Sequence, residues 1–425
     1  MTALLRVAVI ARATRPLHGQ GGLEQSVYDL VRHLAAREVR VTVITPPPLA
    51  GHSAMATPFG VWPVTLVHVP YLTFPFANRP GTTILDRSSA YPLFGWRAGR
   101  VALRMARAGA IDVVHAFGAS GLGYAMGRRK GDPPLVMNPQ GLEEFGASAT
   151  SLPLLKRVGY GPLRAAVRAT AHRAAMLVST DRALEPVVQR HLHPTPGQMV
   201  TIPNGIDVKE VDQQVGPAAG PAMRLHHGID PQDLVLLSVG RLEHNKGFDI
   251  LARALGQLTR SNPSFGKRPW RWVLAGEGPF RSTIEAVIQA EGLANHVLLA
   301  GRVSDQDLHA WYEAATMFVH PSRYEGSSLV TLEAMAHRRA VIATRAGGLP
   351  DKVQPGVNGW LVDVDSVEGL ASAITHAASD QPALLRMGDA SRRIVEQHFS
   401  WEVLVERYLT EYDRLLAGTQ ASLRP

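Results

Sequence analysis

Short β-branched runs recur along this chain, each closed by Gly, Pro, Ser or Asn and followed by a stretch in which apolar positions return every three or four residues. The first kind reads as a buried parallel strand and the second as an amphipathic helix. In the first half the pattern predicts strands at Leu5–Ala11, Val39–Thr45 and Val64–Val69. Further strands fall in IDVVHAFG (111–118), PLVMNPQG (134–141), AAMLVST (174–180) and MVTIPNG (199–205). The alternation restarts with LVLLSVGRL (234–242), WRWVLAGEG (270–278), HVLLAGRV (296–303), TMFVHPS (316–322), AVIAT (340–344) and GWLVDV (359–364). Two successive strand–helix series predict an α/β fold of two doubly wound domains facing across a cleft. Ligands of such sheets sit at the carboxyl ends of the strands. His115, Asn138, Gln140 and Ser179 are therefore placed to reach the cleft or to serve as satisfied polar groups in the core.

Between the two series the segment Gly216–Ala222, rich in Gly, Pro and Ala, marks a composition break, with Asn204 and Gly205 near the expected hinge. From Tyr71 to Trp96 aromatics (Tyr71, Phe74, Phe76, Tyr91, Phe94, Trp96) mix with turn formers, as in a long loop that contacts an acceptor or membrane, or whose rings pack on the core. A helix is expected over Arg97–Arg107. A last one, Trp401–Leu416, carries an apolar stripe (Trp401, Leu404, Val405, Tyr408, Leu409, Tyr412) that requires a partner surface.

The chemistry concentrates between Phe318 and Gly348: a buried strand, an irregular loop with Glu325, a helix with Glu333, a second strand and a Gly-Gly turn. At the helix start the backbone N–H groups of Ser328, Leu329 and Val330 can hold phosphate oxygens, with Ser327 and Ser328 capping or donating. A carboxylate before the helix and another in its second turn can accept hydrogen bonds from the hydroxyls of a sugar and a ribose flanking a diphosphate. The competing reading is a solvated loop Glu and a helix-face Glu near a favourable dipole end. Within SVGRLEHNKG, Arg241 and Lys246 follow Gly240 on one connecting loop, two cations suited to a departing diphosphate or to a salt-bridged surface. Near the N-terminus Gly21 and Gly22 precede a helix, a phosphate-approach turn or simply a tight one. Glu24 occupies the last glycine position of the dinucleotide-binding pattern, which disfavours hydride transfer.

A chain of 425 residues with 45% hydrophobic and 19% charged residues is globular and long enough for two domains. It has no cysteine, which excludes disulfides and thiolate chemistry. The net charge of +8 is uneven: residues 1–200 hold 22 Lys and Arg against 10 Asp and Glu, the remainder 22 against 26. The basic half suits an anionic membrane face or acidic acceptor, or is simply a solvated surface of an Arg-rich, Lys-poor chain; no nucleic-acid module appears. No apolar run reaches the roughly 18 residues of a membrane span. A cytoplasmic protein is expected, with peripheral contact at the inner membrane face through the basic half. His191, His193, His226 and His227 lack acidic ligand spacing and Asp363-Val364-Asp365 reads as a helix cap, so no metal site is expected.

With SVGR (238–241) followed by Lys246, EG at 277–278, the Glu325–Glu333 segment, RAGG (345–348) and PNGID (203–207) together, the chain resembles the retaining glycosyltransferases of family 4, with the GT-B fold of two Rossmann-like domains. The resemblance implies an acceptor-binding domain over 1–203, joined by a last helix (400–417) that crosses back, and a nucleotide-sugar domain over 204–399. It implies that Arg241 and Lys246 hold the diphosphate, Glu325 the transferred sugar and Glu333 the ribose. The Gly21-Gly22 loop would close on the phosphates and Arg302-Val303 would sit beside the base. His115 would contact the sugar; members often carry a second histidine where this chain has Phe117, and the Glu325 segment reads GSS where many have a Gly or an aromatic after the first Gly. The implied partners are a UDP- or GDP-sugar donor and a glycan or lipid-linked acceptor of cell-surface polysaccharide or glycolipid synthesis, with no cofactor. The rivals are a sugar-nucleotide epimerase, a phosphorylase (which usually needs a pyridoxal-bearing lysine in a much longer chain) and a non-catalytic sugar-nucleotide-binding subunit.

Overall fold

The computed structural model describes residues 4–19, 21–48, 59–73, 83–139, 141–146, 158–262, 265 and 269–421. The chain forms two compact units, Met1–Pro203 together with Trp401–Pro425, and Asn204–Ser400.

The first unit has a seven-stranded sheet: β1 (Arg6–Ile10), β2 (Arg40–Thr45), β3 (Val64–His68), β4 (Val113–Phe117), β5 (Leu135–Asn138), β6 (Met176–Ser179) and β7 (Met199–Thr201). Their order is β3-β2-β1-β4-β5-β6-β7, every described pair parallel. The order reverses between β1 and β4, where the loops leaving these strands diverge and open a crevice. Apolar side chains cover both faces of the sheet, as parallel sheets require. The stripe of the last helix, Trp401–Ala421, finds its partner here: Trp401, Leu404, Val405, Tyr408 and Tyr412 are buried with Val7, Val9, Val31 and Leu34. Each such side chain contributes about 1.5–3 kcal/mol by leaving water.

Two expectations change. The part of the Tyr71–Trp96 stretch from Thr83 onward is helix, not loop: Thr83–Arg107 is continuous, with Pro92 inside it. Phe94, Ala98 and Ala102, four residues apart, are buried, so the helical period was present beneath turn-forming residues. Phe74 and Phe76 lie outside the described residues. The Gly216–Ala222 segment runs into a helix, Ala219–His226, within the second unit. Arg224 anchors that helix by donating to the Ala314 carbonyl at 2.8 Å.

The second unit holds β8 (Leu234–Val239), β9 (Trp270–Ala275), β10 (Val297–Gly301), β11 (Met317–His320), β12 (Ala340–Thr344) and β13 (Gly359–Val362). Their order is β10-β9-β8-β11-β12-β13, again parallel, with its reversal between β8 and β11. Among the described residues no helix is long and apolar enough to cross a membrane.

Candidate active site

The loops leaving β8 and β11 flank the second unit's reversal point and are laced together. Arg323 and Tyr324 donate backbone N–H groups to the Asn245 carbonyl at 2.8 and 3.3 Å. The Arg323 guanidinium is bidentate on Asp249 at 2.8 Å and reaches Asp365 at 2.6 Å. Asp365 is thus a brace for this loop; the next helix, Val367–Ser379, is capped by Ser366 instead of by the acidic pair. Gly247 (φ 66°) lets the first loop cross the second, since a Cβ there would lie 2.0 Å from the Pro321 carbonyl oxygen.

This lacing brings Lys246 to Glu325. Lys246 Nζ donates to Glu325 Oε2 at 2.6 Å, and Ser322 Oγ donates to the same oxygen at 3.3 Å. His320 Nε2 lies 2.9 Å from that oxygen. Burial alone would raise the Glu325 pKa; His320 and Lys246 outweigh it and hold the carboxyl at about 2. Burial pushes His320 below its ordinary value in spite of Glu325, so at neutral pH Lys246 is the charge facing the carboxylate. His320 Nδ1 is 2.8 Å from Thr331 Oγ1, which is 3.0 Å from Ser328 Oγ, tying the pair to the following helix. On the far side Gly347 (φ 50°) seats the Glu325 backbone: a Cβ there would lie 1.5 Å from the Glu325 carbonyl oxygen.

The helix Leu329–Ala336 starts at Ser328, whose side chain accepts from the Thr331 N–H and is buried. Ser328 therefore serves as the cap, while Ser327 Oγ is 3.4 Å from both the Asn204 N–H and the Lys352 ammonium. Leu329 opens the helix, and one turn in, Glu333 accepts from the buried Tyr312 hydroxyl at 2.8 Å. Burial raises the Glu333 pKa and the Tyr312 hydrogen bond opposes the rise.

Other predicted residues lie elsewhere. Arg241, after Gly240 at the end of β8, is 75% exposed and paired with Glu243 at 2.8 Å. Arg302 is exposed and Val303 half-buried at the end of β10. In the first unit, Gly21 caps the helix Gly22–Ala35. His115 lies in the middle of β4, fully buried, with Nδ1 2.6 Å from the Tyr412 hydroxyl and its ring stacked on Phe117. Burial lowers its pKa to about 3, and in this position it contacts the last helix instead of a strand-end crevice. Asn138 and Ser179 are likewise buried, and Gln140 lies outside the described residues. Four residues of the second unit's network escaped sequence reasoning: His320, Arg323, Lys352 and Tyr312. A His immediately before the Pro-Ser strand exit was the available signal for the first; nothing local marks the others.

The pattern of Glycosyl transferases group 1 matches residues 221–394, and that of Glycosyltransferase Family 4 matches residues 20–210. The chain belongs to glycosyltransferase family 4. With its two parallel-sheet units, this glycosyltransferase has the GT-B fold. It superposes on sucrose-phosphate synthase from Thermosynechococcus elongatus with a TM-score of 0.76 at 22% identity, covering 97% of this chain and all 100% of that one. Anabaena HepE, solved in complex with UDP, gives 0.71 at 18% identity, covering 97% and 100%. In sequence, the glycosyltransferase is 28% identical to D-inositol 3-phosphate glycosyltransferase of Streptomyces griseus subsp. griseus over 99% of this chain and 91% of that protein. It is 31% identical to the lipopolysaccharide core biosynthesis mannosyltransferase LpcC of Rhizobium leguminosarum bv. viciae, a match spanning 43% of this chain and 51% of that protein.

Proposed function

We propose that this chain is a retaining hexosyltransferase that moves a sugar from a UDP- or GDP-sugar to a glycan or lipid-linked acceptor in cell-surface polysaccharide or glycolipid synthesis. The observation that carries the reading is the Lys246–Glu325 contact of 2.6 Å beside the helix that bears Glu333. Lys246 takes the donor diphosphate, exchanging Glu325 for phosphate oxygens. Glu325, freed and ionised, accepts from hydroxyls of the transferred sugar. Glu333 takes the ribose diol and the N–H groups at the Leu329 helix start take phosphate oxygens. Arg241 joins the diphosphate by leaving Glu243, a surface pair that costs little to break.

The proposed reaction is transfer on one face of the sugar. The bond from the anomeric carbon to the diphosphate oxygen breaks, the bond to the acceptor oxygen forms, and the acceptor's proton passes to the departing diphosphate. The transition state is cation-like at the sugar and gains negative charge at the leaving group, which Lys246 and the helix N–H groups stabilise. The fixed cations support a reading without cofactor or obligatory metal. Relatives named for lipopolysaccharide core and D-inositol 3-phosphate glycosylation support an acceptor in glycan or glycolipid synthesis. The basic first half supports work at the inner membrane face from the cytoplasm.

The test is nucleotide release from a panel of UDP-, GDP- and ADP-sugars with EDTA present, wild type against Lys246→Ala. Slow release from one donor, lost in the variant, is expected. No release and no nucleotide binding, or release only with added divalent metal, would overturn the donor site or its metal independence respectively.

A further inference from the structure

The first unit has a crevice of its own where its strand order reverses. A cavity of about 200 Å³ opens there, lined by Arg12 beyond β1, Gly118 beyond β4, Leu142 and Glu144 beyond β5, and Tyr91. The half-buried Arg12 guanidinium sits 5.5 Å from the centre of the Tyr91 ring, whose hydroxyl is fixed on the Phe117 carbonyl at 2.8 Å. Among the described residues no carboxylate pairs with Arg12, and the stretches outside them contain no Asp or Glu. Arg87 on the same wall, by contrast, is paired with Glu143 at 2.7 Å. Glu144 is only 9% exposed, and burial pushes its pKa upward, so its carboxyl is costly to leave as a bare charge. A half-buried guanidinium without a counter-ion keeps N–H donors that an anion entering the cavity can take up in charge-assisted hydrogen bonds. The surplus of 22 basic over 10 acidic residues in positions 1–200 draws anions to this unit.

We propose that this cavity is an acceptor subsite for a polyhydroxylated molecule carrying an oxyanion, phosphate or carboxylate, with the anion on Arg12 and a hydroxyl on Glu144. The inference rests on the transferase reading, because it assigns the second substrate of that reaction.

The experiment titrates the full chain with glucose 6-phosphate, glucuronate and glucose by saturation-transfer NMR, in excess UDP and GDP so that the donor site is filled. Both acids, or one of them, bind at least about tenfold more tightly than glucose, the size expected of a charge-assisted hydrogen bond. Preference for one acid alone names phosphate or carboxylate as the recognised group. Arg12→Gln removes the preference, Arg12→Lys retains part of it, and Glu144→Gln weakens acids and glucose alike; thermal unfolding checks that each variant is folded. Glucose binding as tightly as the acids, binding of none of the three, or a preference that survives Arg12→Gln overturns the proposal. So does an Arg12→Gln variant that weakens nucleotide binding while keeping acid preference, which places Arg12 on the donor. The nucleotide-release panel fails separately if the transferase reading is wrong, while this binding readout needs no turnover.

Discussion

Replacing Lys246 by Met keeps much of its bulk and deletes the charge that faces Glu325. Its consequence for stability follows from the Glu325 pKa, which falls from an ordinary 4.5 to about 2. At about 1.4 kcal/mol per pH unit, all the groups around that carboxylate together contribute roughly 3 kcal/mol at neutral pH. Lys246 is the full charge among them, and the two side chains keep 18% and 12% exposure. Its removal should therefore cost about 1–2 kcal/mol, short of the 3–5 typical when a fully buried pair is broken. In a unit of this size that is a melting-temperature drop of roughly 2–8 °C. The sign with pH is fixed. A depressed carboxylate pKa gives stability that is present above the unfolded value and is lost as pH falls through the folded one. The variant's Glu325 takes up its proton first, so the gap between the proteins narrows from roughly pH 4 towards pH 2. Urea unfolding at pH 7 and at pH 3 measures the gap. In the release assay the same variant should lose roughly 10²–10³ in rate, the scale for one donor to a developing anion. A gap as large at pH 3 as at pH 7, or release within about threefold of wild type, would refute the charge argument.

Three further outcomes follow from the same geometry. Tyr312→Phe removes the hydroxyl from Glu333, whose pKa is already raised by burial and, more weakly, by Asp305. Nucleotide affinity should fall about five- to tenfold near neutral pH and recover in part as pH rises; titrations at pH 6.5 and 8.5 check this, and a pH-independent loss counts against it. Gly347→Ala puts a methyl 1.5 Å from the Glu325 carbonyl at a left-handed φ of 50°, so nucleotide release should be lost while far-UV circular dichroism stays near wild type. His115→Phe leaves the Tyr412 hydroxyl without its partner at a cost of about 1–2 kcal/mol at pH 7.5. It also removes a buried histidine with pKa about 3, which the unfolded chain protonates near 6.5, so the variant should lose less stability than wild type as pH falls through that window. Unfolding curves at pH 7.5 and 5 decide it, with nucleotide release as the control for a role at the sugar.

The sequence by itself determined the two strand–helix series, the family and the strand–loop–helix order of the Phe318–Gly348 segment, because hydrophobic period and turn residues are local properties that survive translation into elements. The helical stretch of Thr83–Arg107 was less legible, since Pro92 and clustered aromatics masked a period that its buried positions keep. Only the tertiary structure decided which side chains meet. Lys246 and Glu325 lie 79 positions apart and touch because β8 and β11 are neighbours at the reversal of strand order. Tyr312 reaches Glu333 across two helices, a contact that no spacing along the chain encodes. His115 shows the limit most plainly. A strand buried on both faces has no polar side to mark which residues turn towards a ligand, and the face that His115 meets is covered by Tyr412, 297 residues later. Pattern gives the elements and their order; the partner of each buried polar group is set by packing between elements remote in sequence.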